Sequence, residues 1–319
     1  MLPPGNLETL NGALLINKHP DVSSFGIIDL LQKHLSKKYG LKRSQLPKLG
    51  HGGTLDPFAT GLLVVCVGRA VKLARYFLGS TKMYEGVIRF GETTVPGDPT
   101  APISETSEII PESLEELQAL AHKLTLQPYL QVPPMHSAKK KDGKPLYELA
   151  RAGIEIEREP KLCQLHEFEI LSYEKPRATF RLRCGSGTYV RSLAQDFAKM
   201  MGSVALLESL CRTGSGHFRL QNALPLSQIL EPQEPWNELP CWMPFDRLLE
   251  GYPSATATEE EAQDLFKGRQ NALFNILKRA QAAPDEMHSD HLAVYCHNRL
   301  VAVACRENHA WRLERVFTP

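Results

Sequence analysis

The sequence predicts an α+β fold: a mixed-sheet core followed by a small, β-rich C-terminal module. Three observations carry this expectation. Strand-like and helix-like segments alternate irregularly instead of repeating as βα units. Four prolines with several acids (Pro232, Pro235, Pro240 and Pro244) mark a linker. Beyond it, the chain reads as a short helix and paired strands. A chain of 319 residues suits one large domain plus a small one, drawn here at 1–240 and 241–319.

In order along the chain, Ile27, Ile28, Leu30, Leu31 and Leu35 form an apolar stripe at helical spacing, with lysines opposite and Gly40 as the stop. A basic loop then leads into a glycine-rich segment at 50–61. The run 62–67 is short, apolar and partly β-branched, and 84–90 alternates like a strand. Residues 114–126 read as an amphipathic helix opened near Pro111 and closed before Pro128. The Pro- and Lys-rich stretch 127–153 is long for a connection and reads as a functional insertion. Residues 178–184 are strand-like and 190–201 helix-like, joined by the tight Gly185-Ser186-Gly187-Thr188 junction. In the C-terminal module, 259–266 is a short helix, and 292–297 with 299–306 are paired strands around His297-Asn298. A module of this size leans on the larger domain.

Composition sets limits. Apolar content of 42% and charged content of 23% are those of a globular protein. The net charge of +1 hides an uneven distribution: six basic residues and no acid lie between Lys33 and His51, whereas 231–264 carries nine acids and only Arg247 as a base. A second basic cluster comprises Lys139, Lys140, Lys141 and Lys144. Such asymmetry fits a surface facing a polyanion, although each run taken alone also fits a solvated helix face or loop. The seven cysteines show no C-x-x-C pair and no metal-ligand spacing with histidine, so reduced thiols in a reducing compartment are expected, with no metal. The start lacks the basic and apolar regions of a signal peptide, and no apolar run reaches membrane-spanning length. A cytoplasmic protein without a membrane partner is expected.

Three segments carry chemistry. In Gly50-His51-Gly52-Gly53-Thr54-Leu55-Asp56-Pro57-Phe58-Ala59-Thr60-Gly61, a short carboxylate sits on a turn made by glycines and a proline. It is either a nucleophile or a turn cap. Tyr84 opens a strand, where a tyrosine packs or catalyses. Tyr189 and Arg191 begin a helix after a glycine-rich junction, a place that welcomes a carboxylate, although Arg191 also suits a structural ion pair. Together, a carboxylate, two tyrosines and an arginine suit chemistry on a nucleoside. No G-x-x-x-x-G-K-[ST] and no strand-borne G-x-G-x-x-G occurs, which argues against a P-loop NTPase and a dinucleotide enzyme.

These segments, with Leu14-Leu15-Ile16-Asn17-Lys18, Gly68-Arg69-Ala70-Val71-Lys72, Lys82-x-Tyr84, Pro133-Pro134-Met135-His136-Ser137-Ala138, Gly143-Lys144-x-Leu146-Tyr147-x-x-Ala150-Arg151-x-Gly153 and Leu210-x-Arg212-Thr213, resemble the TruB family of tRNA pseudouridine synthases in order and spacing from about residue 11 to 230. The resemblance implies a mainly antiparallel pseudouridine synthase core with a PUA-like C-terminal module. It further implies the isomerisation of uridine 55 in the tRNA T-loop by base flipping, carried out by a monomer with no cofactor. By the same resemblance, Asp56 is the nucleophile, Tyr84 stacks on the flipped uracil and is a base candidate, Arg191 pairs with Asp56, Tyr189 packs beneath the base and Leu210 walls the pocket. His51 supports the loop. Lys139, Lys140, Lys141, Lys144 and Arg151 belong to an insertion closing over the RNA. Lys18 and Lys72 fall at matching positions, with a structural role as open as an RNA contact, and Asp98 aligns with an RNA-recognising acid or serves its own turn. Cys211, Gly214 and His217 depart from the family pattern. Two other readings stand beside this one: a non-catalytic tRNA-binding or tRNA-folding protein, and the catalytic subunit of a guide-RNA particle.

Overall fold

In a computed structural model, the chain is described over residues 7, 10–135, 140–141, 144–145, 154, 156–231, 235–280, 290–308 and 310–318. A ten-stranded sheet forms the centre of the larger domain. Its main path runs Leu165–Glu174, Arg177–Cys184, Lys82–Phe90, Ala205–Ser215, Thr60–Val67, Gly12–Lys18 and Leu224–Pro225. Neighbours on this path are antiparallel, except that Ala205–Ser215 meets Thr60–Val67, and Gly12–Lys18 meets Leu224–Pro225, in parallel. The expected α+β class with a mainly antiparallel sheet is what the chain adopts.

Local chemistry sets the helices. Ser23 caps Ser24–Tyr39 by accepting from Gly26 N at 2.9 Å, and Gly40 ends it in the left-handed region at φ 67°. Ser113 caps Leu114–Thr125, whose Gln118 Nε2 donates to the Ile170 carbonyl at 3.0 Å and ties the helix to the first strand of the sheet. Phe90, Phe168, Phe180 and Phe197 join strands and the Val190–Lys199 helix in one aromatic core.

Gly12–Lys18 and Ala205–Ser215 are among the strands that do not show the period-two signature of a half-buried strand, and they lack it for different reasons. Gly12–Lys18 is buried on both faces, so it reads as a continuous apolar run. Ala205–Ser215 has register shifts at Leu207/Ser209 and Arg212/Gly214, which break the alternation twice.

The C-terminal module has a four-stranded sheet, in the order Ser254–Thr256, His291–Cys296, Arg299–Glu307 and Ala310–Val316. The helices Glu259–Phe266 and Gln270–Arg279 pack on it around Leu265, Leu273, Ile276, Val294 and Trp311. The second of these helices is an addition to the expected elements, and its start is silent in sequence because Arg269 gives it no side-chain cap. The strand Trp242–Pro244 pairs with Gly12–Lys18, so the large sheet reaches past residue 240. Hydrogen bonds tie the module to the Ala74–Gly79 helix and to the segment that follows Trp242–Pro244. Tyr76 Oη donates to Glu314 Oε2 at 2.8 Å, Tyr252 Oη donates to the Tyr76 carbonyl at 2.8 Å, and Leu300 N donates to Asp246 Oδ1 at 2.8 Å. All seven cysteines are free. Among the described residues, no helix is long and apolar enough to cross a membrane.

Candidate active site

The segment carrying Asp56 is held from beneath by three buried side chains. Arg212 donates to the carbonyls of Leu62 at 2.7 Å, Gly53 at 3.1 Å and Thr54 at 3.3 Å. Ser24 Oγ brackets Leu55, accepting from its N–H at 2.8 Å and donating to its carbonyl at 3.2 Å. The Lys18 amine donates to the Pro57 carbonyl at 3.0 Å, as well as to those of Val22 and His19. Gly53, at φ 138°, makes the turn that only glycine adopts without strain. Residues on both sides of Asp56 are thus pinned, and the carboxylate projects from a rigid seat.

Its oxygens do not cap the turn. Arg191, in the first turn of Val190–Lys199 and 3% exposed, holds them in a fork: Nε to Oδ2 at 2.9 Å and Nη2 to Oδ1 at 3.2 Å. The same guanidinium donates through Nη1 to the Pro96 carbonyl at 2.9 Å and lies 3.2 Å from Asp98 Oδ2. Burial pushes the Asp56 carboxyl above its ordinary pKa, Arg191 pulls it back, and the Asp98 carboxylate pushes it up again. The net direction is upward.

Asp56 lines a cleft of about 320 Å³ together with Tyr84, Tyr189, Leu210, Lys82, Arg212 and the 185–188 junction, while Arg191 holds the carboxylate from behind this lining. Tyr84 is almost fully buried in Lys82–Phe90, directly across from Arg212 in the neighbouring strand. Burial raises its phenol pKa and the adjacent Arg212 opposes the rise, so the lowering that a base role requires is absent from the free site. Lys82 Nζ caps the Ala74–Gly79 helix by donating to the carbonyls of Phe77 at 2.8 Å and Ser80 at 2.6 Å, and burial lowers its pKa to about 8.

Tyr189 is held by its backbone. Gln131, 1% exposed, accepts from Tyr189 N at 2.8 Å through Oε1 and donates to the Tyr189 carbonyl at 2.9 Å through Nε2. Tyr129 Oη, which accepts from the same Nε2 at 2.9 Å, donates to Asp196 Oδ2 at 2.8 Å.

The structure therefore brings Asp56, Tyr84, Tyr189, Arg191 and Leu210 together, and it redistributes the others. Lys18 is fully buried on three carbonyls, so its contact is with the Asp56 loop and not with the surface. Asp98 is 4% exposed; Oδ2 faces Arg191 and Oδ1 accepts from Thr100 N at 3.0 Å, which gives it a turn role and a place in the charge network around Asp56. His51 lies outside the cleft lining, in the short strand Leu49–His51, with Nδ1 buried and unpartnered among the described residues; burial and Arg212 lower its pKa. Lys72 is exposed beside a separate depression with Lys48 and Arg69. Lys139 and Arg151 lie outside the described residues. Lys140–Lys141 and Lys144–Pro145 pair as a short antiparallel ladder, and their side chains are likewise outside. Part of the Lys33–His51 basic run is neutralised by Asp29, which pairs with Lys33 at 2.8 Å and with Arg43.

Sequence reasoning passes over Arg212, Gln131, Ser24 and Lys82 as functional residues. Arg212 and Lys82 carry a usable signal, because both stand in the collinear motifs Leu210-x-Arg212-Thr213 and Lys82-x-Tyr84, whereas Gln131 and Ser24 stand in none.

Residues 38–190 match the model of the TruB family pseudouridylate synthase (N terminal domain). Proteins named tRNA pseudouridine synthase B are 36% identical in Francisella philomiragia, over 94% of this chain and 92% of that protein, and 35% identical in Burkholderia lata, over 96% and 90%. The chain belongs to the TruB family. The TruB domain match ends one residue before Arg191, so Arg191, Leu210 and Arg212 enter the site from beyond it. A chain in a crystal structure of a Cbf5-Nop10-Gar1 complex shares this TruB protein's fold, with a TM-score of 0.70 at 20% identity over 99% of this chain and 88% of that one. That likeness extends through the C-terminal module.

Proposed function

We propose that this TruB protein is a tRNA pseudouridine synthase that isomerises uridine 55 in the T-loop. The observation that carries the reading is the Asp56 carboxylate, held in a fork by buried Arg191 at the floor of a cleft walled by two tyrosines and a leucine. A cleft of this size is at the small end for ligand sites and suits one extruded nucleoside, not a duplex.

The reaction breaks the C1′–N1 bond and forms C1′–C5, with loss of the C5 proton and protonation at N1. It gains and loses no atoms overall and is redox-neutral, so it needs no cofactor. Asp56 opens it, either by attack on C1′ or by a route through a glycal, and both routes begin at the same carboxylate. Arg191 keeps that carboxylate ionised and aimed. Tyr84 stacks on the uracil; as a proton acceptor from C5 it depends on Arg212 to stabilise the developing phenolate. Tyr189 and Leu210 form the remaining walls, and His51 supports the loop from outside them. The lysines of the insertion, with Arg151, contact phosphates, and Lys72 extends the basic surface. The molecule acts in the cytoplasm as a monomer, with the larger domain, whose sheet takes in Trp242–Pro244, catalytic and the C-terminal module supporting it.

Purified protein and unmodified tRNA test this directly, with a pseudouridine-specific chemical label mapped along the RNA. The expected result is one labelled position in the T-loop with wild type and none with Asp56→Asn. A label that persists with Asp56→Asn sinks the nucleophile assignment, and tRNA binding with no label from wild type supports the binding-only reading.

A further inference from the structure

A group of metal-ligating side chains in the C-terminal module lines no part of the Asp56 cleft. The helix Glu259–Phe266 begins with Glu259, and the strand His291–Cys296 ends in a two-residue turn, His297-Asn298, with both residues in the left-handed region at φ 48° and 63°. Successive side chains of a strand point to opposite faces, but this turn swings His297 back over Cys296. The result is a triangle of donors: Cys296 Sγ to Glu259 Oε2 at 3.7 Å, Cys296 Sγ to His297 Nδ1 at 3.7 Å, and His297 Nδ1 to Glu259 Oε2 at 3.3 Å. A tetrahedral zinc ion with bonds of about 2.3 Å to sulfur and about 2.0–2.1 Å to nitrogen and oxygen requires edges of about 3.4–3.6 Å. The observed triangle has the dimensions of one face of that tetrahedron.

The setting supports a built site. Cys296 is buried, whereas Glu259 and His297 are exposed and free to adjust. All three line a cavity of about 310 Å³ between the module and the large domain, which leaves room for a water as fourth ligand.

We propose that Glu259, Cys296 and His297 form a zinc site that fastens the first turn of the Glu259–Phe266 helix to the His297-Asn298 turn. The role is structural, and it is independent of the reaction at Asp56. Binding converts the Cys296 thiol to a thiolate and releases its proton to solvent.

The full chain, stripped with a chelator under reducing conditions, is titrated with Zn²⁺ against a chromophoric competitor and then with Co²⁺. The expected result is one Zn²⁺ per chain, a near-ultraviolet thiolate-to-cobalt charge-transfer band and a melting temperature that rises with Zn²⁺. Glu259→Gln and His297→Gln change exposed side chains and preserve the fold; each weakens binding on the order of 10-fold or more. Cys296→Ser abolishes the cobalt band, whereas Cys305→Ser leaves it intact. Absence of stoichiometric binding, or a band that survives Cys296→Ser, overturns the proposal.

Discussion

A guanidinium that is 3% exposed and shared by Asp56, Asp98 and the Pro96 carbonyl cannot follow a moving substrate; it holds the carboxylate still while the nucleoside moves. Asp56→Asn therefore lowers pseudouridine formation on the order of 10⁴-fold or more, with the fold retained by circular dichroism. Arg191→Lys keeps the charge but loses the fork, and costs roughly 10²-fold in kcat through misplacement of the carboxylate. The upward push on the Asp56 carboxyl has a defined sign: the ionised form is the reactive one, so kcat/KM falls as pH drops through a pKa above the ordinary aspartate value. An acid limb at or below the ordinary value contradicts the burial argument. Gln131 acts one step back, through Tyr189. Gln131→Leu leaves the Tyr189 N–H and carbonyl without their partner, which costs about 1–3 kcal/mol of stability. It also lowers kcat/KM, whereas Gln131→Glu, which retains the acceptor, rescues part of the loss. The site tyrosines and Asp56 are legible through the collinear family motif, because alone the Asp56 turn also suits a cap and the strand start at Tyr84 also suits a packing residue. Gln131 is not, because an isolated glutamine carries no pattern and its partner lies 58 residues away.

Among the elements, the loop 53–57 and the strand Lys82–Phe90 show how tertiary contacts replace regular structure. The loop has no ladder of its own, and its carbonyls are satisfied by Arg212 and Lys18. Lys82 provides the matching service for the Ala74–Gly79 helix, at an energetic cost visible in its pKa of about 8. For a lysine whose folded pKa is depressed, the unfolded chain holds more protons between the two values. Stability therefore rises with pH from about 8 towards the ordinary lysine value of 10.5. Lys82→Met removes that component, so the difference between wild-type and variant unfolding free energies shifts in favour of wild type as pH rises through this window. A difference that does not change with pH refutes the desolvation account. Regular helices with caps, such as those beginning after Ser23 and Ser113, are readable in sequence. Ala205–Ser215 is not, because its register shifts are set against Lys82–Phe90, a strand more than a hundred residues earlier in the chain.

For the whole molecule, the uneven charge predicts how the protein meets RNA. With a net charge of only +1, overall attraction is weak and binding rests on local basic clusters. Replacing Lys140, Lys141 and Lys144 with alanine flattens the slope of log K against log salt by roughly 0.7–0.9 for each lysine that neutralises a phosphate, and leaves the Asp56 chemistry intact at saturating tRNA. A slope that does not change removes these lysines from the interface. The sequence by itself determined the α+β class, the periodic helices and the family, and it singled out Asp56 as the candidate carboxylate, because those depend on local backbone preference and on a short collinear motif. The tertiary structure alone decided that Lys18 and Asp98 face inward, that Arg212 and Gln131 set the site's geometry, and that Glu259 meets Cys296 and His297. Each of those outcomes depends on which distant strand or helix supplies the missing hydrogen-bond partner, and a buried polar group takes the partner that folding brings to it.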